Sequence, residues 1–527
     1  MIMKYLRHWL IPVLLIAGFS NSSFSQKLQK HLPVGVKIST WSPSIPVLKG
    51  LNTNPVLRVA VFIPAGNKEI QIRKLFCTLN TEALKNIQRI DVFLTGAEPF
   101  STSNQVTSVS PSSSAFDIPV SLNLKQGVQF IWFSIVLKHD ASMDDLIELR
   151  CIKIVDDEGK QLHIKPQKND FVKRTGVVVR KAGDDRVNTY RIPGLVQTDR
   201  GTLIAVYDIR YNDSRDLPAN IDVGMSRSTD NGKSWEPMRI IMDMGPPHEN
   251  NGIGDPAVLF DPVTKKIWVA ALWSKGNRSI AGSLPGLSPD TTGQFVLVSS
   301  SDDGNTWSAP YNITSQVKNP AWHLFFNGPG NGIAMQNGKL VFAAQYWDEV
   351  KKPYSTIIYS DDHGATWKGN IHGPKSNTTE SQVVETIPGT LMLNMRDNRG
   401  GFRSVATTAD MGAGWTEHAT SYDALVDPVC MASIIKAKVK LKGVLTDVLF
   451  FSNVASRTGR INMTVKASLD NGETWLEANQ LLVDERLCYG YSCLTKIDDT
   501  TIGLLYEGSK DLYFIKIPVS EIIKQGK

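Results

Sequence analysis

The stretch Ser228-Thr229-Asp230-Asn231-Gly232-Lys233-Ser234-Trp235 decides the fold, because the chain repeats it. It returns as Ser300-Ser301-Asp302-Asp303-Gly304-Asn305-Thr306-Trp307, as Ser360-Asp361-Asp362-His363-Gly364-Ala365-Thr366-Trp367 and as Ser468-Leu469-Asp470-Asn471-Gly472-Glu473-Thr474-Trp475. A degenerate copy runs Thr408-Ala409-Asp410-Met411-Gly412-Ala413-Gly414-Trp415. Each copy has the chemistry of a hairpin turn. Ser and Asp side chains bond backbone N–H groups around the turn, Gly supplies a positive φ, and Trp packs back between sheets. The repeated aspartates therefore read as structural, not catalytic. Copies spaced by roughly 50 to 70 residues mark one four-stranded sheet each, which predicts a β-propeller with insertions.

Outward from the repeats the chain stays β-rich. Short apolar runs at 57–63, 90–94, 129–136 and 147–154, then at 203–207, 267–272, 295–299, 340–344, 356–359 and 390–394, are punctuated by Gly, Pro, Asn and Asp. That is the pattern of an all-β protein with many antiparallel strands. A polar, basic stretch at 167–175 marks a domain boundary, and 527 residues exceed one ordinary core.

At the N-terminus Lys4 and Arg7 precede an apolar segment, 9–19, and small residues Ser23 and Ser25. This order predicts a secretory signal peptide, residues 1–25, and an exported protein, periplasmic or secreted. The apolar segment is too short to span about 30 Å of hydrocarbon, so no stable membrane insertion is expected. Net charge is only +6, and no basic run interleaves with aromatics, which argues against nucleic acid. Five cysteines, Cys77, Cys151, Cys430, Cys488 and Cys493, are too few for a disulfide framework. Cys77 and Cys151 could pair, but buried free thiols are the simpler reading. Gly328-Pro329-Gly330-Asn331-Gly332 is no phosphate loop, since it lacks the following Lys and helix.

Tyr190-Arg191-Ile192-Pro193-Gly194 stands before the first repeat. Together with the repeats it resembles the Arg-Ile-Pro motif and Asp boxes of the sialidase superfamily, across residues of about 175–527. The resemblance implies a six-bladed β-propeller over 173–527, one blade lacking a recognisable box. It also implies a β-sandwich over 26–172, which either binds carbohydrate or docks against the propeller.

A sialic acid carries a carboxylate on its anomeric carbon, and planar, permanently charged arginines suit that group. The resemblance places three of them at Arg191, at Arg396 in Asn394-Met395-Arg396-Asp397, and at Arg460 in Arg460-Ile461-Asn462-Met463-Thr464. The same carboxylate disfavours an anionic nucleophile, and sialidases with a tyrosine nucleophile depart from the usual carboxylate pair of glycosidases. By resemblance the nucleophile is Tyr491 in Gly490-Tyr491-Ser492-Cys493-Leu494, with Tyr489 as near competitor because strand alternation points both the same way. A tyrosine with a pKa of about 10 needs a base beside it. Glu380 matches that role; Glu385, on the opposite side of a strand, reads as an exposed or structural acid.

The general acid belongs on the loop after the first arginine, which holds Asp213, Asp216 and Asp222. Asp216 matches the family spacing. Glu507 resembles the acid that orients the first arginine, and Arg210 with Asp255 resembles a pair contacting the 4-hydroxyl. Trp322, Phe325, Tyr346 and Trp347 are candidates for an apolar wall facing the N-acetyl group or the aglycone. No metal ligand set is evident, and the implied mechanism needs no cofactor.

Three functions fit to different degrees. The first is an exo-α-sialidase hydrolysing terminal α-linked sialic acids from glycoproteins, glycolipids and oligosaccharides. The second is a trans-sialidase, intermolecular or intramolecular, using the same residues. The third is a non-catalytic Asp-box propeller, which is expected to have lost at least one arginine, the tyrosine or its glutamate. All of these are present here.

Overall fold

The computed structural model describes residues 35–165, 171–369 and 371–524. The expected leader, 1–25, lies outside the described residues. Among the described residues no helix is long and apolar enough to cross a membrane.

The chain forms two compact units. The first comprises the described part of Met1–Pro43 with Asn52–Lys138 and Ile147–Val172. One of its sheets pairs Lys37–Trp41, Pro55–Ile63, Gly127–Leu137 and Ile87–Leu94 in that order; another pairs Leu146–Asp156, Ile70–Leu79 and Ala115–Leu124. Burial alternates along strands such as Ala115–Leu124, so each sheet hides one face, the pattern of a β-sandwich. Cys77 and Cys151 stand directly opposite each other on neighbouring strands, and all five cysteines are free thiols.

The second unit comprises Ser44–Leu51, His139–Leu146 and Lys173–Lys527. The early strand Val47–Lys49 belongs to it because it pairs in parallel with Val172–Arg180 and buries Val47 and Leu48 completely. Among the described residues six main sheets, built chiefly of antiparallel strands, follow in chain order. Their first long strands are Thr189–Gln197, Gly252–Phe260, Leu324–Asn327, Thr378–Ile387, Ser433–Leu441 and Ser492–Asp498.

An apolar core fills the space between each sheet and the next. Val206 and Met225 of the first sheet share one core cluster with Val258 and Val269 of the second, as Leu297 does with Phe342 of the third. The series continues with clusters that hold Val341 and Leu393, Met392 and Phe451, and Phe450 and Leu504. Phe514 of the sixth sheet then shares a cluster with Leu203 and Tyr207 of the first. The sheets therefore contact one another in cyclic order, the connectivity expected of six propeller blades.

The Asp boxes form the hairpins after the third strand in the first, second, fourth and fifth sheets, and follow Pro353–Ser360 in the third. In the second box Gly304 N–H donates to Ser300 Oγ at 2.9 Å, and Thr306 N–H and hydroxyl donate to Asp302 at 2.8 and 2.6 Å. Gly304 has φ +76, a backbone conformation that costs any side chain with a Cβ. Each tryptophan packs toward the preceding sheet: Trp235 lies 5.3 Å from Phe514, and Trp367 lies 6.2 Å from Trp268. The sixth sheet has no box for a topological reason. Its outer strand, Val172–Arg180, precedes the other strands of that sheet in the chain, so among the described residues no box hairpin joins it to Leu512–Pro518.

Candidate active site

Register places the boxes and the motif arginines at opposite ends of the sheets. In the first sheet Arg191 pairs with Asp208, while Leu203 at the far end pairs with Ser228, where the box begins. In the fourth sheet Leu391 pairs with Thr408 of its box, and Arg396 lies toward the other end of Thr390–Asp397.

At the arginine end the first strands are distorted. Register slips between Arg191 and Gly194, and again between Gly254 and Ala257. Ile192 and Asp255 sit at φ +57 and +56 within these bulges. Left-handed backbone at a branched residue is strained, and a bulge re-aims the side chains beside it. Here the bulges leave Arg191 and Asp255 on the wall of one cavity.

That cavity, about 360 Å³, is lined by Arg191, Asp216, Asp255, Glu380, Arg396, Arg460 and Tyr491, together with Ile192, Leu217, Leu272, Ile280, Ala281, Phe326 and Trp347. Tyr491 Oη donates to Glu380 Oε1 at 2.5 Å, and Arg396 Nη1 lies 2.5 Å from Glu380 Oε2 and 3.0 Å from Tyr491 Oη. Burial and then the Glu380 charge push the Tyr491 phenol well above its usual pKa, against Arg396 and Arg191. It is a neutral hydroxyl already hydrogen-bonded to a base.

Glu507, fully buried, accepts from Arg191 Nε at 3.1 Å and from the backbone N–H groups of Ile192 and Tyr491, each at 2.8 Å. One carboxylate thus fixes the first arginine and the tyrosine's backbone together. Burial works against the charge on Arg191, but Glu507, Tyr491 and Asp216 outweigh it and raise its pKa. Arg396 lines the cavity, and its buried Nε has no hydrogen-bond partner. Arg460 is held by the carbonyls of Tyr489 and Val429 at 2.8 and 3.4 Å.

Of the two tyrosines, Tyr491 is the one whose hydroxyl reaches Glu380. Tyr489 instead lies under the guanidinium of Arg191, at 4.6 Å. Strand alternation does not relate them, because residues 487–491 are irregular and Gly490 has φ +95. Glu385 is structural: it accepts the N–H groups of Gln336 and Gly389 at 2.9 and 2.8 Å.

Among the three loop aspartates only Asp216 lines the cavity. Asp213 pairs with its neighbour Arg215, and Asp222 accepts from Tyr211. Asp216 Oδ1 accepts from Arg210 at 2.6 Å and lies 3.4 Å from Arg191 Nη1. Partial desolvation raises the Asp216 pKa, but Arg210 and Arg191 outweigh it and hold it below the ordinary value. Asp255 behaves oppositely: burial, then Asp208, Glu380 and Asp216, raise it well above the carboxylate range.

Two expectations need correction. Trp322, Phe325 and Tyr346 are buried core, with Trp322 and Tyr346 stacked at 3.8 Å. Only Trp347 of the four aromatics reaches the cavity, joined by Phe326, Leu217, Leu272 and Ile280. Alternation separates Phe326 from Phe325 on Leu324–Asn327, but sequence does not say which of the two faces a cavity. Arg210, expected to contact substrate with Asp255, is 2% exposed and lies behind Asp216 rather than on the wall.

Known proteins share this architecture. Residues 193–504 match the family described as BNR repeat-like domain, and 36–160 match the N-terminal domain of BNR-repeat neuraminidase. A sialidase of Bacteroides fragilis is 47% identical over 406 residues, 76% of this chain and 74% of that one. A sialidase of Micromonospora viridifaciens is 33% identical over 335 residues, 62% of this chain and 50% of that one. Among solved structures, the Hadza microbial sialidase Hz136 superposes with a TM-score of 0.85 at 40% identity, covering 92% of this chain and 100% of that one. By family model and by identity alike, the chain belongs to the BNR-repeat sialidases.

Proposed function

We propose that this exo-α-sialidase removes terminal α-linked sialic acids from glycoproteins, glycolipids and oligosaccharides with retention, through a sialyl-tyrosine at Tyr491. The observation that carries the reading is the 2.5 Å Tyr491–Glu380 hydrogen bond inside a cavity walled by Arg191, Arg396 and Arg460.

Arg191, Arg396 and Arg460 hold the substrate carboxylate. Glu380 takes the phenolic proton as Tyr491 Oη bonds to the anomeric carbon, and Asp216 gives its proton to the departing glycosidic oxygen. Asp216 then takes a proton from water, whose oxygen displaces Tyr491, and Glu380 returns the phenolic proton. Two inversions give net retention. The substrate carboxylate also competes with Asp216 for Arg191. Binding therefore weakens the ion pair that keeps Asp216 ionised and favours the protonated form that an acid catalyst needs.

The test is proton NMR of the first product from sialyllactose together with mass spectrometry after a 2,3-difluorosialic acid probe. Release of free α-sialic acid and a sialyl adduct on Tyr491 support the reading. Release of the β-anomer first, or an adduct elsewhere, overturns retention at Tyr491; an anhydro or transferred sugar in place of free sialic acid makes the enzyme a trans-sialidase. We further propose export, on the charged, apolar and small-residue order of residues 1–25, which N-terminal sequencing of the mature protein checks.

A further inference from the structure

Asp208 carries no role in the scheme above, yet it is 1% exposed beside the cavity and makes ionic and backbone bonds to two residues of the site. Its Oδ2 accepts from Arg210 Nε and Nη2 at 3.1 and 2.9 Å, a forked contact that anchors that edge of the guanidinium. The remaining nitrogen, Arg210 Nη1, donates to Ser214 O at 2.8 Å and to Asp216 Oδ1 at 2.6 Å. Asp208 Oδ1 accepts the backbone N–H of Asp255 at 2.8 Å, on the strained bulge of the second sheet. A Cβ on Gly254 would come within 2.9 Å of that oxygen, so the second sheet is packed onto the carboxylate.

The contrast in exposure matters. The Asp216 side chain is 80% exposed on a loop, whereas Asp208 and Arg210 are buried at 1% and 2%. A loop carboxylate able to swing into solvent is tied to a buried ion pair through one nitrogen. We propose that Asp208 is a positioning residue for acid catalysis: by orienting Arg210 and sharing its charge, it sets where Asp216 stands and how tightly Asp216 holds a proton. The proposal rests on the reading of Asp216 as general acid.

Leaving-group chemistry tests it. An aryl sialoside with a strongly acidic phenol departs without a proton, whereas the sugar hydroxyl of sialyllactose needs one. A defect in acid catalysis therefore slows sialyllactose far more than the aryl substrate, and a defect in folding or carboxylate binding slows both alike. For Asp208→Asn the expected loss in kcat is about 10- to 100-fold on sialyllactose and about threefold or less on 4-nitrophenyl sialoside. Asp216 faces Arg210, Arg191, Asp255 and Arg460. Removing the Asp208 charge leaves more of the Arg210 charge to Asp216, so the fall of kcat/KM with rising pH should begin at a lower pH.

Arg210→Gln, which cuts the same link on its other side, should show the same leaving-group split, and it serves if Asp208→Asn does not fold. Equal losses on both substrates, or an unshifted pH profile in a folded Asp208→Asn protein, overturn the proposal. Asp216→Ala is the control that separates the two levels. If it shows no leaving-group dependence, the assignment of Asp216 fails and the Asp208 proposal fails with it; if it does while Asp208→Asn and Arg210→Gln do not, only the latter fails.

Discussion

At one end of the second unit's sheets stand the Asp-box turns, and at the other the cavity. Both ends are built on carboxylates, used in opposite ways. Asp302 bonds residues two to four positions away, and Thr306, through its hydroxyl and then its backbone N–H, pulls it down to about 2. Glu380 bonds Tyr491 across 111 residues, and Glu507 bonds Arg191 across 316. A box is thus a local object that folds a turn wherever its eight residues occur. The cavity exists only once distant sheets have closed on one another, and its buried groups are held in states, such as the raised Tyr491 phenol, that isolated side chains do not adopt. Stability is distributed among repeated parts at one end; function is concentrated in unrepeated parts at the other.

If that division is right, substitutions at the two ends should separate activity from stability. The largest effect belongs to Tyr491→Phe, which removes one oxygen and should lower kcat on a fluorogenic sialoside by about 10³-fold or more while thermal unfolding is unchanged. Full retained activity would refute Tyr491 as nucleophile. Glu380→Gln keeps the shape but not the base, and about 10²- to 10⁴-fold should be lost from kcat.

Arg396→Lys tests the planar fork rather than the charge. Losing a charged hydrogen bond to the substrate carboxylate costs about 1.5–3 kcal/mol, roughly 10- to 150-fold in kcat/KM. An effect confined to stability would move Arg396 out of the binding set.

At the other end, Asp302→Ala should lower stability by about 1 kcal/mol in chemical denaturation and leave kcat/KM within about twofold. Asp410→Ala should cost less, because Gly414 of the degenerate box has no hydroxyl and only its N–H meets Asp410. An activity loss at either box without a stability loss breaks the comparison. The smallest effect is on acid stability. The folded value of Asp302, about 2, lies below an unfolded value near 3.9. Its contribution is therefore complete above about pH 4 and lost as pH falls through about 2. Thermal unfolding across that window should fall more steeply in the parent protein than in Asp302→Ala.

The same difference explains what could be read in advance. The boxes were legible because the Ser, Asp and Thr bonds that shape each turn lie within its eight residues, so sequence and turn chemistry coincide there. Asp303 and His363 also bond Thr202 and Asp261 in neighbouring sheets. Arg191, Arg396, Arg460, Glu380 and Tyr491 were reachable through family resemblance, and the fold brings all of them to one cavity. The choice between Tyr489 and Tyr491 was not legible from alternation, because the segment around Gly490 is irregular; both rings lie near the Arg191 guanidinium, and it is the Tyr491 hydroxyl that reaches Glu380. The apolar wall was not legible either: Trp322, Phe325 and Tyr346 have the composition of a binding wall and the packing of a core. Asp208 left no signal, being one more acid on a β-strand until Arg210 and Asp255 are seen on its two oxygens.

The sequence by itself determined the β class, the positions of five turns and the residue types needed around an acidic sugar. These depend on contacts close along the chain or on the chemistry of single side chains. Only the tertiary structure decided which tyrosine meets the base, why the sixth sheet lacks a box, and that Arg210 stands behind Asp216 rather than on the wall. Each of those follows from which strands close the ring and where bulges re-aim side chains, and such long-range pairing is not encoded in any local stretch.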